Sequence, residues 1–213
     1  MSGQEKSVTS KTDFQGMFKD TCIMLAITVI AGLLLGLVYQ VTKDPIAVQQ
    51  ELAKQEACKE VFEGASEFSQ VDVAAYEGQD WTDAGFAKQT IDEVMEARND
   101  AGEVLGYVIT VTTKEGYGGD IQFTEGVQMD GTVNGISLLS ISETAGLGMR
   151  ADEVLKPQFV NKKADKFEYT KSGAIADNQI DAISGATITT NAVVNGVNAG
   201  LHYFQTQLEG GGV

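Results

Sequence analysis

The chain has 213 residues and carries 15 Lys and Arg against 30 Asp and Glu, a formal net charge of −15. Such acidity repels phosphate backbones and anionic head groups and argues against nucleic acid as a partner. A single His and two Cys leave little from which to build a zinc site or His-based acid–base chemistry.

The N-terminal tail, residues 1–20, balances three Lys against three acidic residues, so the charge imbalance belongs to the region beyond the apolar stretch. That stretch, TCIMLAITVIAGLLLGLVYQV at 21–41, is 21 residues without a charge. As a helix it would extend about 31 Å and cross a hydrocarbon core of about 30 Å, which predicts one transmembrane helix. A secretory signal peptide has a shorter apolar run ending in a small-residue cleavage site, which GLVYQVTKD lacks. Within the helix, Gly32 and Gly36 form a small-xxx-small surface that would let another helix approach closely.

Residues 42–89 read as a juxtamembrane helix and a lead-in. Pro45 suits a helix start, and Ile46, Gln50, Ala53, Ala57 and Val61 recur at helical spacing, with Cys58 on a polar helix. Trp81 and Phe86 are core candidates in a loop-rich stretch. From residue 90 the pattern turns to strands: TIDEVMEA, then the turn NDAG, then EVLGYVITVTT with Leu105, Tyr107, Ile109 and Val111 on one face. DIQFTEGVQM and TVNGISLLSI flank Asp130-Gly131, a signal for a type I′ hairpin. ADEVL is a short helix stopped by Pro157, and KFEYT is a candidate strand. A helix over about 190–208 buries Val193, Val194, Val197, Leu201, Phe204 and Leu208, and packs the lone His202 beside Tyr203 and Phe204. Helices on one antiparallel sheet of about four strands predict an α+β domain over 90–208, with 209–213 as a tail.

Glycine makes up 24 residues and gathers in GYGG (116–119), AGLG (145–148) and the SGAT of DAISGATITT (181–190). The last run offers the hydroxyls of Ser184, Thr187, Thr189 and Thr190, with Gly185 and Ala186 removing bulk beside Thr187. Two readings stand side by side. The hydroxyls are ordinary helix caps, or an anionic phosphoryl group sits at the helix N-terminus, where unpaired N–H groups and the dipole favour it, and becomes attached to Thr187. No His or Lys is near and only Asp181 lies within a turn or two, so nothing adjacent looks like the base that self-modification needs, and Gly185 and Ala186 give clearance for another enzyme's active site.

The stretch DAISGAT resembles the flavin-attachment motif, in which a flavin transferase joins FMN to the final Thr through a phosphoester. The stretch from GYGG to AGLG resembles the body of the FMN-binding domain that accompanies it, over roughly residues 90–200. With its N-terminal membrane helix the chain resembles the G subunits of Rnf electron transport complexes, relatives of the C subunit of sodium-translocating NADH:quinone reductase. The resemblance implies Thr187 as the tether, with Ser184, Gly185, Ala186 and Thr189 around the phosphate. It implies Glu143, Thr144, Leu147 and Gly148 as flavin neighbours, and Tyr117 as a ring that stacks on the flavin. Where relatives commonly have ETPGLG, this chain has Ala145, which loosens the loop and keeps its backbone donors.

The function implied is a membrane-anchored electron carrier in a ferredoxin:NAD oxidoreductase that couples redox to sodium or proton transport. Its domain would be extracytoplasmic, and its partners would include a membrane iron–sulfur subunit, a second covalent-flavin subunit and a flavin transferase. One rival is an anchored non-redox ligand-binding or assembly module with SGAT as a cap. Another is a self-contained flavin reductase, disfavoured because no G-x-G-x-x-G follows a strand.

Overall fold

The computed structural model describes residues 5–71 and 79–209. Residues 1–4 and 210–213 of the two expected tails, and 72–78 of the lead-in, lie outside the described residues.

The chain divides into two units, Met1–Glu51 and Leu52–Val213. Helix α1 (Glu5–Val61) continues through Pro45, so the expected helix start at that proline is not observed. A proline in a helix interior removes one i→i−4 hydrogen bond, and the good helix formers after it, Ala47 and Gln49 to Ala53, carry the helix onward. In the first unit the apolar side chains from Ile23 to Val41 are exposed, and the helix is long and apolar enough to cross a membrane.

The second unit is built on a six-stranded antiparallel sheet in sequence order. Its strands are β1 (Glu67–Gln70), β2 (Gln89–Arg98), β3 (Val104–Thr113), β4 (Ile121–Gln128), β5 (Thr132–Ser140) and β6 (Lys162–Lys163). The four inner strands are those expected; the edge strands, four and two residues long, are too short and polar to leave an alternating signal. A short helix α2 (Gln79–Asp83) precedes β2. Beyond β5 come a 3-10 turn (Gly148–Arg150), helix α3 (Ala151–Val154) and a second 3-10 turn (Lys156–Phe159) that carries Pro157.

KFEYT does form a strand, β7 (Glu168–Thr170), but in a separate parallel ladder with β8 (Gln179–Asp181). Three-residue strands carry too few alternating positions to reveal a partner. The last helix, α4 (Thr187–Tyr203), starts one turn earlier than expected and ends in a π-helical turn (Phe204–Leu208).

The α4 face of the sheet buries the main core, including Ile109, Val111, Phe123 and Ile136 with Val193, Val197, Leu201 and Phe204. Trp81 and Phe86 join it, and both rings lie against His202, at 6.1 and 5.4 Å between centroids. The second core is smaller: Ala57, Cys58, Val61 and Phe62 are buried, and the last three meet Ala97 and Val108. Leu105 packs there too, apart from Tyr107, Ile109 and Val111, and the strand is buried from both sides. Cys58 is therefore buried rather than on a polar helix, while Ile46, Gln50 and Ala53 are exposed.

The β4–β5 hairpin departs from the expected type I′ turn. That turn needs positive φ at both central residues, whereas in the loop Met129–Asp130–Gly131 only Gly131 has it, at 82°. Gly131 N donates to Gln128 O at 2.9 Å, and Thr132 N donates to Asp130 Oδ1 at 3.0 Å. Those Thr132 hydrogen bonds, and then Lys163 at 3.1 Å, hold the Asp130 carboxyl down at about 2.

One polar group in the core is unusual. Glu125 on β4 is fully buried, and neither carboxylate oxygen has a hydrogen-bond partner among the described residues. It fits beneath α4 because residue 200 is Gly; a β-carbon there would fall on the carboxyl group. Burial pushes its carboxyl well above the usual carboxylate range.

Candidate functional site

The first turn of α4 is set by the residues before it. Ala186 N donates to Ile183 O at 3.0 Å, closing a turn in which Gly185 adopts φ 79°, a conformation that favours glycine. Thr190 braces the turn twice: its hydroxyl donates to Ala186 O at 3.0 Å and accepts from Ile183 N at 3.1 Å. Upstream, Gln158 grips Asp181, accepting from its N–H at 2.7 Å and donating to its carbonyl at 3.1 Å. The motif is thus anchored at both ends before the helix begins.

The N-cap is Ala186, which makes no side-chain capping bond. The first helical hydrogen bond runs from Thr190 N to Ala186 O, leaving the N–H groups of Thr187, Ile188 and Thr189 outside the ladder. The hydroxyls are therefore not simple caps. Thr190 commits its oxygen to the turn and Thr189 donates to Glu143 Oε2 at 2.9 Å. Among the described residues, no hydrogen bond engages the hydroxyl of half-buried Thr187.

Glu143 ties the three glycine clusters together. Its other oxygen, Oε1, accepts from Gly118 N at 3.1 Å, so one carboxylate holds both the GYGG loop and the start of α4. The glycines let the backbone close around it. A β-carbon on Gly116 would lie 2.8 Å from Glu143 Oε1, and one on Gly148 would lie 2.5 Å from Thr189 Oγ1 and 2.7 Å from Glu143 Cβ. The ETAGLG loop is turned by Leu147 N and Met149 N, which both donate to Thr144 O, at 3.1 and 3.3 Å.

Between these segments lies a cleft of about 560 Å³, within the usual size of small-molecule sites. Nine of the ten residues singled out from the sequence line it: Tyr117, Glu143, Thr144, Leu147 and Gly148 on one side, and Gly185, Ala186, Thr187 and Thr189 on the other. Ser184 lies outside the lining, exposed at the bend. Ile188, 53% exposed, completes the lining and was not anticipated; its signal was an apolar residue off the buried stripe of the helix. Tyr117 is 71% exposed and packs little against its own loop.

Comparison with known proteins gives two family matches. The FMN-binding domain matches residues 116–202, and the RnfG N-terminal region matches residues 11–61. The G subunit of the Na(+)-translocating ferredoxin:NAD(+) oxidoreductase complex of Acetobacterium woodii is 32% identical over 196 residues, covering 91% of this chain and 94% of its own. Its counterpart in the proton-translocating ferredoxin:NAD(+) oxidoreductase complex of Clostridium ljungdahlii is 32% identical over 179 residues, covering 83% and 85%. The crystal structure of Shewanella oneidensis NqrC matches 54% of this chain and 58% of its own, at 23% identity and a TM-score of 0.45.

Proposed function

We propose a role for a chain that belongs to the family of G subunits of Rnf-type ion-translocating oxidoreductase complexes. It is an electron-transport subunit with an FMN-binding domain, and its apolar N-terminal helix fits a single-pass membrane anchor. Our finer reading is that FMN is attached by a phosphoester to Thr187 and relays electrons within the complex, which transports sodium ions or protons. The partners are then a membrane iron–sulfur subunit, a second covalent-flavin subunit and, during maturation, a flavin transferase. The domain faces the extracytoplasmic side.

The observation that carries the tether is the Thr187 hydroxyl, unengaged at the first position of α4 and open to the cleft. The residues present fit the group. Three N–H groups outside the helix ladder and the positive end of the helix suit a phosphate. Gly116 and Gly148 let the walls close on Glu143 and Thr189, where a β-carbon would collide, and the cleft of about 560 Å³ they frame is of small-molecule size. When bound, FMN supplies one- and two-electron transfer. Thr187 holds the phosphate end, Leu147 and Ile188 shield the cleft from water with aliphatic surface, and Tyr117 offers a ring face for stacking. Glu143 and Thr190 fix the walls.

Attachment replaces the Thr187 hydroxyl hydrogen with a flavin phosphoryl group, a mass gain of one FMN less one water. The chain co-expressed with a flavin transferase is expected to show this gain on the peptide containing Thr187, together with in-gel flavin fluorescence after denaturation. Thr187→Val should abolish both. A fluorescent band that persists in that variant overturns the tether.

A further inference from the structure

Among the described residues that line the cleft, Glu143 is the sole acid, set among glycine, threonine and aliphatic neighbours, and no Lys or Arg lines it. Both of its oxygens act as acceptors, one for a main-chain N–H and one for a hydroxyl, a pattern that suits the ionised carboxylate. The same two bonds fix its position, and the close approach of Gly116 and Gly148 leaves it little room to swing aside. The cation nearest in sequence, Arg150, is paired with Glu153 at 3.5 Å. The positive end of α4 is directed at the phosphate end of the cleft.

We propose that Glu143 tunes the redox potential of the site: its fixed negative charge holds the midpoint potential of a flavin in this cleft lower than the same cleft would give without it. This rests on the reading that the cleft holds FMN. Uptake of two electrons from the complex's reduced donor and one proton from water leaves one more negative charge on the flavin ring. A carboxylate in the same wall opposes that charge, and does so more strongly where protein replaces water. Glu143 is thereby a positioning residue for the loops and an electrostatic one for the cofactor, and the two roles separate experimentally. In Glu143→Gln the amide oxygen can still accept from Gly118 N. The amide N–H can donate to Thr189 Oγ1, which turns from donor to acceptor. The geometry is kept and the charge is lost.

The test uses the full chain, co-expressed with a flavin transferase and purified in detergent, with attached flavin verified by intact mass. Midpoint potentials are read from visible absorbance for wild type and Glu143→Gln at low and high salt. The expected result is equal flavin content and a more positive potential in the variant, with the gap narrowing as salt rises. Equal potentials in two fully flavinylated proteins overturn the inference while the flavin reading stands. A wild type without flavin overturns both. If only Glu143→Gln fails to take up flavin, Glu143→Met, which also removes the charge, takes its place in the comparison, and failure of both to load overturns the separation of roles on which the inference depends. A positive shift supports the proposal and an unchanged potential overturns it.

Discussion

Single side chains in the cleft show why some roles could be read in advance and others could not. Thr187 and its small neighbours announce themselves because they are contiguous, and a local motif needs only local geometry. Glu143 does not reveal its part, since the donors it joins lie 25 and 46 residues away and no periodicity links them. Gly148, a flavin neighbour by resemblance, is also a close-approach position. Gly148→Ala would press a methyl against Thr189 Oγ1 and Glu143 Cβ. We expect a loss of about 1–3 kcal/mol in unfolding free energy and reduced flavin loading, measured by thermal melts and by absorbance per chain. Loading and stability equal to wild type would show that the wall can give way.

At the level of elements, the inner strands were legible because alternation, turn residues and strand length agree, and the α4 stripe because Val193, Val197, Leu201 and Phe204 keep one face. The turn type was not, because Asp130-Gly131 serves both a two-residue turn and the three-residue loop found here. Helix packing on the sheet also conceals a cost: Glu125 lies under Gly200 with both oxygens unpartnered among the described residues. Its carboxyl is raised in the folded state by burial. Below the unfolded-state value both states hold the proton and the contribution is constant. As pH rises past it, the unfolded chain releases the proton more readily, so stability falls toward alkaline pH. Glu125→Met, similar in volume and without the charge, should raise stability at pH 8 by about 1–3 kcal/mol and flatten its pH dependence. Denaturant midpoints between pH 5 and 9 would decide, and parallel wild-type and variant curves would contradict the account.

For the molecule as a whole, length and hydropathy announced an anchor, but the distribution of Lys on the two sides of the apolar stretch is too even to orient it. The proposed extracytoplasmic placement predicts that protease added to right-side-out vesicles removes the C-terminal domain, whereas sealed inverted vesicles protect it. The reverse pattern would put the domain in the cytoplasm. The sheet has a further consequence for life among other subunits. It ends on the four-residue β1 at one side, and at the other the two-residue Lys162–Lys163 pairs only with Thr132 and Val133 of β5, so the lysine-bearing border, a poor template for another chain's backbone, guards the hairpin end alone. Edge-to-edge joining of a neighbouring chain is thus discouraged at the hairpin end of the sheet.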